Sequence, residues 1–169
     1  GDAGVKGRRV ALIVGAGVDA AALRTVYRAL AEGGAAPRFV GARLGRVEGS
    51  DGDSIEVETT VEAMPSVLWD AVVLPSGAAA QPAFQASGGL LEFVKDQYRH
   101  CKAMLVLGES SQLVQAAGIP LPDAADGALD PGLVVVDGTE DALASATTSF
   151  LAAVARHRHY ERETDPPRV

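Results

Sequence analysis

Short, nearly uninterrupted apolar runs recur along this chain, and helix-forming segments stand between them. The clearest runs are residues 8–14, 70–74, 103–107 and 133–136. A strand that is apolar at almost every position, rather than at alternate ones, is typical of a parallel sheet buried on both faces. The repeated order of strand and helix therefore predicts an α/β fold, with a mostly parallel sheet covered by helices on both faces.

The helices are predicted from apolar spacing and from capping residues. After Asp19, a residue type that caps helix N-termini, Leu23 and Leu30 belong to a row of apolar side chains at helical spacing. The pair Gly33 and Gly34 marks the predicted C-terminus of this helix. The predicted helices span residues 20–31, 89–100, 110–117 and 141–156, with a helical turn at 65–69 and a further strand at 37–42.

Residues 43–62 show a different pattern, in which apolar and charged side chains alternate around the turn-forming residues 50–52. This alternation predicts a small, solvent-facing hairpin at the edge of the sheet. A chain of 169 residues suits one compact domain. We place that domain at residues 8–160, preceded by a glycine-rich linker at 1–7 and followed by a polar tail at 161–169.

Charge and composition exclude several classes of function. The formal net charge is −7, and nucleic-acid binding requires a basic face. No apolar stretch approaches the ~20 residues of a membrane span, and residues 1–14 do not show the complete basic-then-apolar pattern of a signal segment. Cys101 is the only cysteine, which excludes an internal disulfide and a CxxC metal site. We expect a cytoplasmic protein without nucleic-acid or membrane partners, and, from its start at Gly1, a piece excised from a longer one.

A glycine-rich loop follows the first strand. Gly15, Gly17 and Ala20 match the G-x-G-x-x-A pattern that binds dinucleotide pyrophosphate at a helix N-terminus. The acidic residue that should end the second strand is missing, although Arg43 there suits a 2′-phosphate. A tight loop in an alanine- and glycine-rich protein explains the same residues, so nucleotide binding stays an alternative.

Nucleophile chemistry is considered at two places. Residues 108–112 nearly spell the G-x-S-x-G elbow of serine hydrolases, with Ser110 as nucleophile, but the last glycine is replaced. The simpler interpretation makes Ser110 the N-cap of the next helix. Cys101 adjoins His100, yet neighbouring helical residues point about 100° apart and both precede a strand. A buried structural thiol is the simpler interpretation. A serine hydrolase also needs a histidine base, and His157 and His159 are poorly placed for it because they lie on the terminal helix or tail.

Two carboxylates, Asp19 and Glu109, are expected at the carboxyl edge of the sheet. Two carboxylates at one rim can raise each other's pKa or hold a metal. The alternative is that Asp19 caps the first long helix and that Glu109 complements the dipole of a later one.

The order of elements resembles the PfpI-like, glutamine amidotransferase-like superfamily, with its flavodoxin-like three-layer sandwich. The family's acidic residue after the first strand falls on Asp19, and its oxyanion loop falls on residues 75–77. Its cysteine elbow falls on Gly108, and the histidine that often follows falls on Glu109. Glycine has no side chain to attack a carbonyl, so the resemblance implies a scaffold without its nucleophile. The vestigial pocket comprises Asp19, Ser76, Gly77, Gly108, Glu109 and Ser110.

A narrower resemblance covers almost the whole chain. Residues 7–14, the hairpin with Asp51 and Gly52, residues 70–77 and the ending at 155–167 are similar to the C-terminal domain of large-subunit, haem-dependent catalases. The resemblance implies that haem and the disproportionation of hydrogen peroxide belong to a catalase core outside this chain. It implies a homotetramer, with this domain packed on the core in cis and near other subunits. No catalytic, cofactor-binding or metal-binding residue is expected here; the alternative is a small-molecule or nucleotide module that uses the vestigial pocket.

Overall fold

The computed structural model describes residues 2–121, 130–137 and 139–156. The predicted tail at 161–169 lies outside the described residues, as do His157 and His159.

A six-stranded sheet forms the centre of the molecule, and every neighbouring pair of strands in it is parallel. Its strand order is β5-β2-β1-β6-β7-β8, and a separate antiparallel pair is made by β3 and β4. The strands are β1 (Arg9–Ile13), β2 (Ala36–Gly41), β3 (Gly45–Glu48), β4 (Ser54–Val57), β5 (Thr59–Thr60), β6 (Ala71–Leu74), β7 (Ala103–Leu107) and β8 (Leu133–Val136).

Two groups of helices cover the sheet. The first and second helices each contact the sixth, and the third, fourth and fifth contact one another. The helices are α1 (Asp2–Val5), α2 (Ala20–Glu32), α3 (Gln81–Ala86), α4 (Gly88–Arg99), α5 (Ser110–Ala116) and α6 (Glu140–Arg156). Among the described residues, none of these helices combines the length and the apolar character needed to cross a bilayer.

The central strands are buried because helices lie on both of their faces. Every residue of β6 and of β7 is buried, which agrees with their uninterrupted apolar sequence. On α2, the side chains of Leu23, Val26 and Leu30 are fully buried, so the predicted apolar face points to the sheet. Asp19 caps α2 as predicted, since its Oδ1 accepts a hydrogen bond from the amide of Ala22 at 3.1 Å.

The predicted hairpin is confirmed. Strands β3 and β4 pair in register from Gly45 with Val57 to Glu48 with Ser54. Ile55 and Val57 are buried, while the residues between and beside them are exposed, so one face packs on the domain and the other meets solvent.

Three elements differ from the sequence prediction. Asp2–Val5 forms a helical turn in the segment interpreted as a linker, and Gly4 approaches α6 so closely that an added Cβ would lie 2.7 Å from the Ala155 carbonyl oxygen. The short strand Thr59–Thr60 extends the sheet beside β2. Helix Gln81–Ala86 also follows β6, in a segment for which no helix was predicted. That residues 1–7 join this domain to another stays a prediction.

Candidate functional site

The strand order reverses between β1 and β6, the point of an open α/β sheet where ligands usually bind. The loops that follow β1 and β6 touch there. The amide of Asp19 donates to the Ser76 carbonyl oxygen at 2.9 Å. A Cβ on Gly77, whose φ is +125°, would lie 2.4 Å from the Gly17 carbonyl oxygen, so only glycine allows this close approach.

The elbow after β7 completes the vestigial pocket. Gly108 has a φ of +50°, and its amide donates to the Val136 carbonyl oxygen at 2.8 Å. A Cβ built on Gly108 would lie 2.9 Å from the Ser76 Cβ. The Ser76 side chain therefore occupies the space that a side chain at the elbow would need. Its hydroxyl oxygen is buried and has no hydrogen-bond partner among the described residues.

Glu109 is turned back over the loop that follows β6. Its Oε1 accepts a hydrogen bond of 2.7 Å from the Gly77 amide. This bond, and a further one from the backbone N–H of Glu109 itself, hold the pKa of the carboxyl below its ordinary value, against a smaller effect of burial. The carboxylate is thus bound to the amide of another loop, which is a more specific role than the predicted complement to a helix dipole.

Ser110 does not cap α5, and that interpretation is wrong. Glu109 is the N-cap residue, and Ser110 is the first helical residue, fully buried. The Ser110 hydroxyl donates to the Pro75 carbonyl oxygen and accepts from Gln81 Nε2 at 3.2 Å. Because the helix already begins at Ser110, this side chain points to the neighbouring loop rather than to the free amides of the first turn.

Gln81 is a pocket residue that the sequence prediction missed. It is buried, it holds Ser110, and its own Oε1 has no partner among residues the structure describes. Pro82 beside it at the start of α3 is a recognised helix-start signal and could have indicated the helix that carries Gln81.

The two carboxylates expected at one rim bind different groups. Asp19 accepts from Ala22 on its own helix, whereas Glu109 accepts from Gly77 on another loop. Within residues 2–121, 130–137 and 139–156, no three side chains of His, Cys, Asp or Glu are grouped to hold a metal ion. The capping interpretation of Asp19 is the one that the geometry supports.

Backbone amides of the glycine-rich loop after β1 already donate hydrogen bonds to carbonyl oxygens of this chain. The Gly17 amide donates to the Glu48 carbonyl oxygen at 2.9 Å, and the Val18 amide to that of Gly15 at 3.3 Å. The Asp19 amide is bound to Ser76. Pyrophosphate binding needs such amides to point at the ligand. This geometry therefore does not favour the nucleotide alternative.

His100 and Cys101 lie between α4 and β7, at the edge of the sheet opposite the vestigial pocket, as predicted. Cys101 is 3% exposed, and its thiol donates a long hydrogen bond to the Arg99 carbonyl oxygen. Ser110 is equally inaccessible, so neither candidate nucleophile is presented to a substrate.

A cleft of about 660 Å³ lies beside the vestigial pocket, at the carboxyl ends of β1 and β2. Its walls are mostly apolar and include Val14, Phe84 and Leu90, with Arg43 and Glu62 among its polar residues. Haem iron is ligated by His, Cys, Met or Tyr side chains, and none of the residues described as lining this cleft is of those types. The cleft therefore does not fit a haem site.

Comparison with known proteins identifies the family. The family model described as the C-terminal domain found in long catalases matches residues 6–164. Catalase HPII of Pseudomonas putida is 36% identical over 163 residues, which cover 96% of this chain and 21% of that protein. Catalase-1 of Neurospora crassa is 29% identical over 177 residues, which cover 95% of this chain and 24% of that protein. The chain thus spans about a fifth to a quarter of the length of these curated relatives.

Solved structures share the fold at low sequence identity. A two-domain protein of Anabaena variabilis with DJ-1/ThiJ/PfpI-like and ferritin-like domains superposes with a TM-score of 0.76 at 18% identity, covering 86% of this chain and 47% of that one. Oxidised DJ-1 of Toxoplasma gondii gives 0.71 at 16% identity and covers 93% and 94% of the two chains. The predicted flavodoxin-like fold and the resemblance to catalases are both confirmed. The chain belongs to the family of C-terminal domains found in long catalases.

Proposed function

We propose that this chain is an accessory domain of a long catalase and has no catalytic activity of its own. In this proposal the complete enzyme disproportionates hydrogen peroxide to water and oxygen with haem held by a core outside these residues. The domain packs on that core in cis, contacts other subunits of a homotetramer and stabilises the assembly. It also shields apolar surface in the manner of a chaperone.

The observation that carries the proposal is the closed elbow. Acyl-transfer chemistry at such an elbow needs an attacking side-chain atom and a base within hydrogen-bond reach. Gly108 offers no such atom, and Ser76 fills the space beside it. The hydroxyl of Ser110 is buried and bonded to the Pro75 carbonyl. An inert scaffold agrees with this arrangement, and a surviving hydrolase does not.

Exposed apolar side chains support the accessory role. Val67 is 68% exposed and Leu68, its neighbour in the helical turn before β6, is 41% exposed. Leu44, beside the hairpin, is 67% exposed. Adjacent exposed apolar residues are candidates for burial against another domain. The adjacent pair Val67 and Leu68 suits packing on a core better than it suits a free monomer.

Two measurements test the proposal. The purified chain should release no oxygen from hydrogen peroxide above the buffer rate, with or without added haem. The full-length catalase should lose its activity at a lower temperature, and dissociate more readily, when this domain is deleted. Val67→Asp in the full-length enzyme should reproduce part of the loss, whereas Thr148→Asp, an exposed site on α6, should not. Turnover by the chain alone, or unchanged stability after deletion, would contradict the proposal.

A further inference from the structure

The cleft at the carboxyl ends of β1 and β2 is separate from the vestigial pocket, and the proposed accessory role does not use it. No residue of the vestigial pocket is among those described as lining the cleft. Its volume of about 660 Å³ lies within the range of small-molecule sites, roughly 300–1,000 Å³. Such sites have mostly apolar walls and a few polar groups that orient the ligand. The cleft has this composition.

The apolar floor of the cleft is held in place by contacts within the chain. The amide of Val14 donates to the Val40 carbonyl oxygen at 2.9 Å. The ring of Phe84 lies against the backbone of Gly15, since a Cβ built on Gly15 would be 2.8 Å from the Phe84 Cε1. The amide of Leu90 donates to the Ser87 hydroxyl oxygen at 3.1 Å, as part of the cap of α4. An apolar group can therefore bind to a floor that is already ordered, which lowers the cost of binding.

Two opposite charges belong to the same cleft. Arg43 and Glu62 both line it, and both are exposed. Gly41 pairs with Thr60 in the sheet, and the Val61 amide donates to the Gly41 carbonyl oxygen at 3.1 Å. Because Arg43 and Glu62 each follow the paired residues by two positions, they leave the sheet from adjacent strands. In the part of the chain that the structure describes, neither side chain forms an ion pair.

We propose that this cleft binds a free α-amino acid with an apolar side chain. The guanidinium of Arg43 binds the carboxylate of the ligand, for which its planar fork of N–H groups is suited. The carboxylate of Glu62 accepts hydrogen bonds from the ammonium group. The apolar side chain of the ligand packs on Val14, Phe84 and Leu90. This inference goes beyond the accessory role and does not depend on it.

A ligand with a single charge is a poorer complement to the cleft. The carboxylate of a fatty acid would bind Arg43 but would lie near the like charge of Glu62. An apolar amine would bind Glu62 and lie near the guanidinium. An α-amino acid carries both charges on one carbon atom, so each protein group meets its opposite. Charge complementarity therefore selects the zwitterion.

The test compares three ligands that share one apolar group. The 169-residue chain is titrated at neutral pH with L-phenylalanine, with 3-phenylpropanoate, which lacks the ammonium group, and with 2-phenylethylamine, which lacks the carboxylate. Nitrogen–proton correlation spectra report on the amide signals of Gly15 and Leu90. A ligand of about a dozen non-hydrogen atoms is expected to bind with a Kd on the order of a millimolar. Each analogue should bind on the order of tenfold more weakly, because one charge-assisted contact is lost.

Matched variants assign the charges. Arg43→Gln and Glu62→Gln change exposed side chains, so the fold should be kept, and each should weaken L-phenylalanine binding on the order of tenfold. Arg28→Gln on α2 and Glu140→Gln on α6 remove the same charges at exposed positions outside the cleft and should bind as wild type does.

Three results would overturn the proposal. The first is the absence of saturable shifts with L-phenylalanine. The second is equal affinity for all three ligands, which would indicate a site for any apolar group. The third is a set of cleft signals that follow the protein concentration instead of the ligand concentration, because a second copy of the chain would then cover the cleft.

Discussion

Substitution of Gly108 by alanine tests the claim that the elbow has closed. The residue has a φ of +50°, in the left-handed region, where a side chain costs about 1–2 kcal/mol. The added Cβ would also lie 2.9 Å from the Ser76 Cβ, against an optimum of about 3.5–4.0 Å between carbon atoms. Because a Cβ is fixed to the backbone, Ser76 cannot rotate away from this contact.

The backbone cost and the steric cost can be separated with a control glycine. Overpacking of a well-packed site destabilises by about 1–3 kcal/mol. Added to the backbone cost, this gives a loss of about 2–5 kcal/mol in the free energy of unfolding for Gly108→Ala. Gly7 is a matched control, since its φ is +77° and an added Cβ there meets nothing within 4 Å. Gly7→Ala should cost only the backbone part, about 1–2 kcal/mol.

Urea unfolding of both single variants, of Ser76→Gly and of the double variant Ser76→Gly with Gly108→Ala supplies the measurement. In the Ser76→Gly background the steric part should vanish, giving a coupling free energy of about 1–3 kcal/mol between positions 76 and 108. If Gly108→Ala costs no more than Gly7→Ala, and the coupling is near zero, the elbow has room for a side chain. Such a result would refute the closure of the pocket to a nucleophile side chain.

Two further substitutions examine the helices that pack on the sheet. Asp19→Ala should lower the free energy of unfolding by about 1 kcal/mol through loss of the α2 cap, whereas Asp19→Asn keeps the cap and should cost much less. Thermal unfolding of both variants supplies the measurement. Equal losses in the two variants would show that the charge of Asp19 matters rather than its capping bond. Phe150→Ala, at a fully buried position of α6, should cost about 3–5 kcal/mol in urea unfolding, and a loss under 1 kcal/mol would show that α6 is not part of the core.

The central strands were predictable from the sequence because their burial is complete. Ala103–Leu107 has the predicted bounds, since strands at the centre of a parallel sheet are apolar at nearly every position. Leu133–Val136 also has the predicted bounds, although it lies at the edge of the sheet and only Leu133 in it is buried. Asp19 was recognisable as a cap because capping depends on a local bond, from its carboxylate to an amide three residues later. Signals of this kind are contained in a few consecutive residues.

The elements that escaped prediction depend on contacts between distant segments. Thr59–Thr60 is a strand only because β2 lies beside it, and two residues carry no periodicity of their own. Ser110 has the residue type of a cap, but its hydroxyl is bound by Pro75 from another loop, 35 residues away in sequence. The bond between Glu109 and Gly77 likewise joins two loops. The polar contacts of the pocket are therefore set by the tertiary fold rather than by local sequence.

The position of Cys101 has a consequence for chemical durability. In the proposed setting the domain lies next to a core whose substrate is hydrogen peroxide, and peroxide oxidises accessible thiolates toward sulfenic and higher acids. The sole sulfhydryl of the chain is 3% exposed, and the elbow where related folds display another carries glycine. The domain consequently offers peroxide no accessible thiol, so oxidation at cysteine does not limit its lifetime beside such a core.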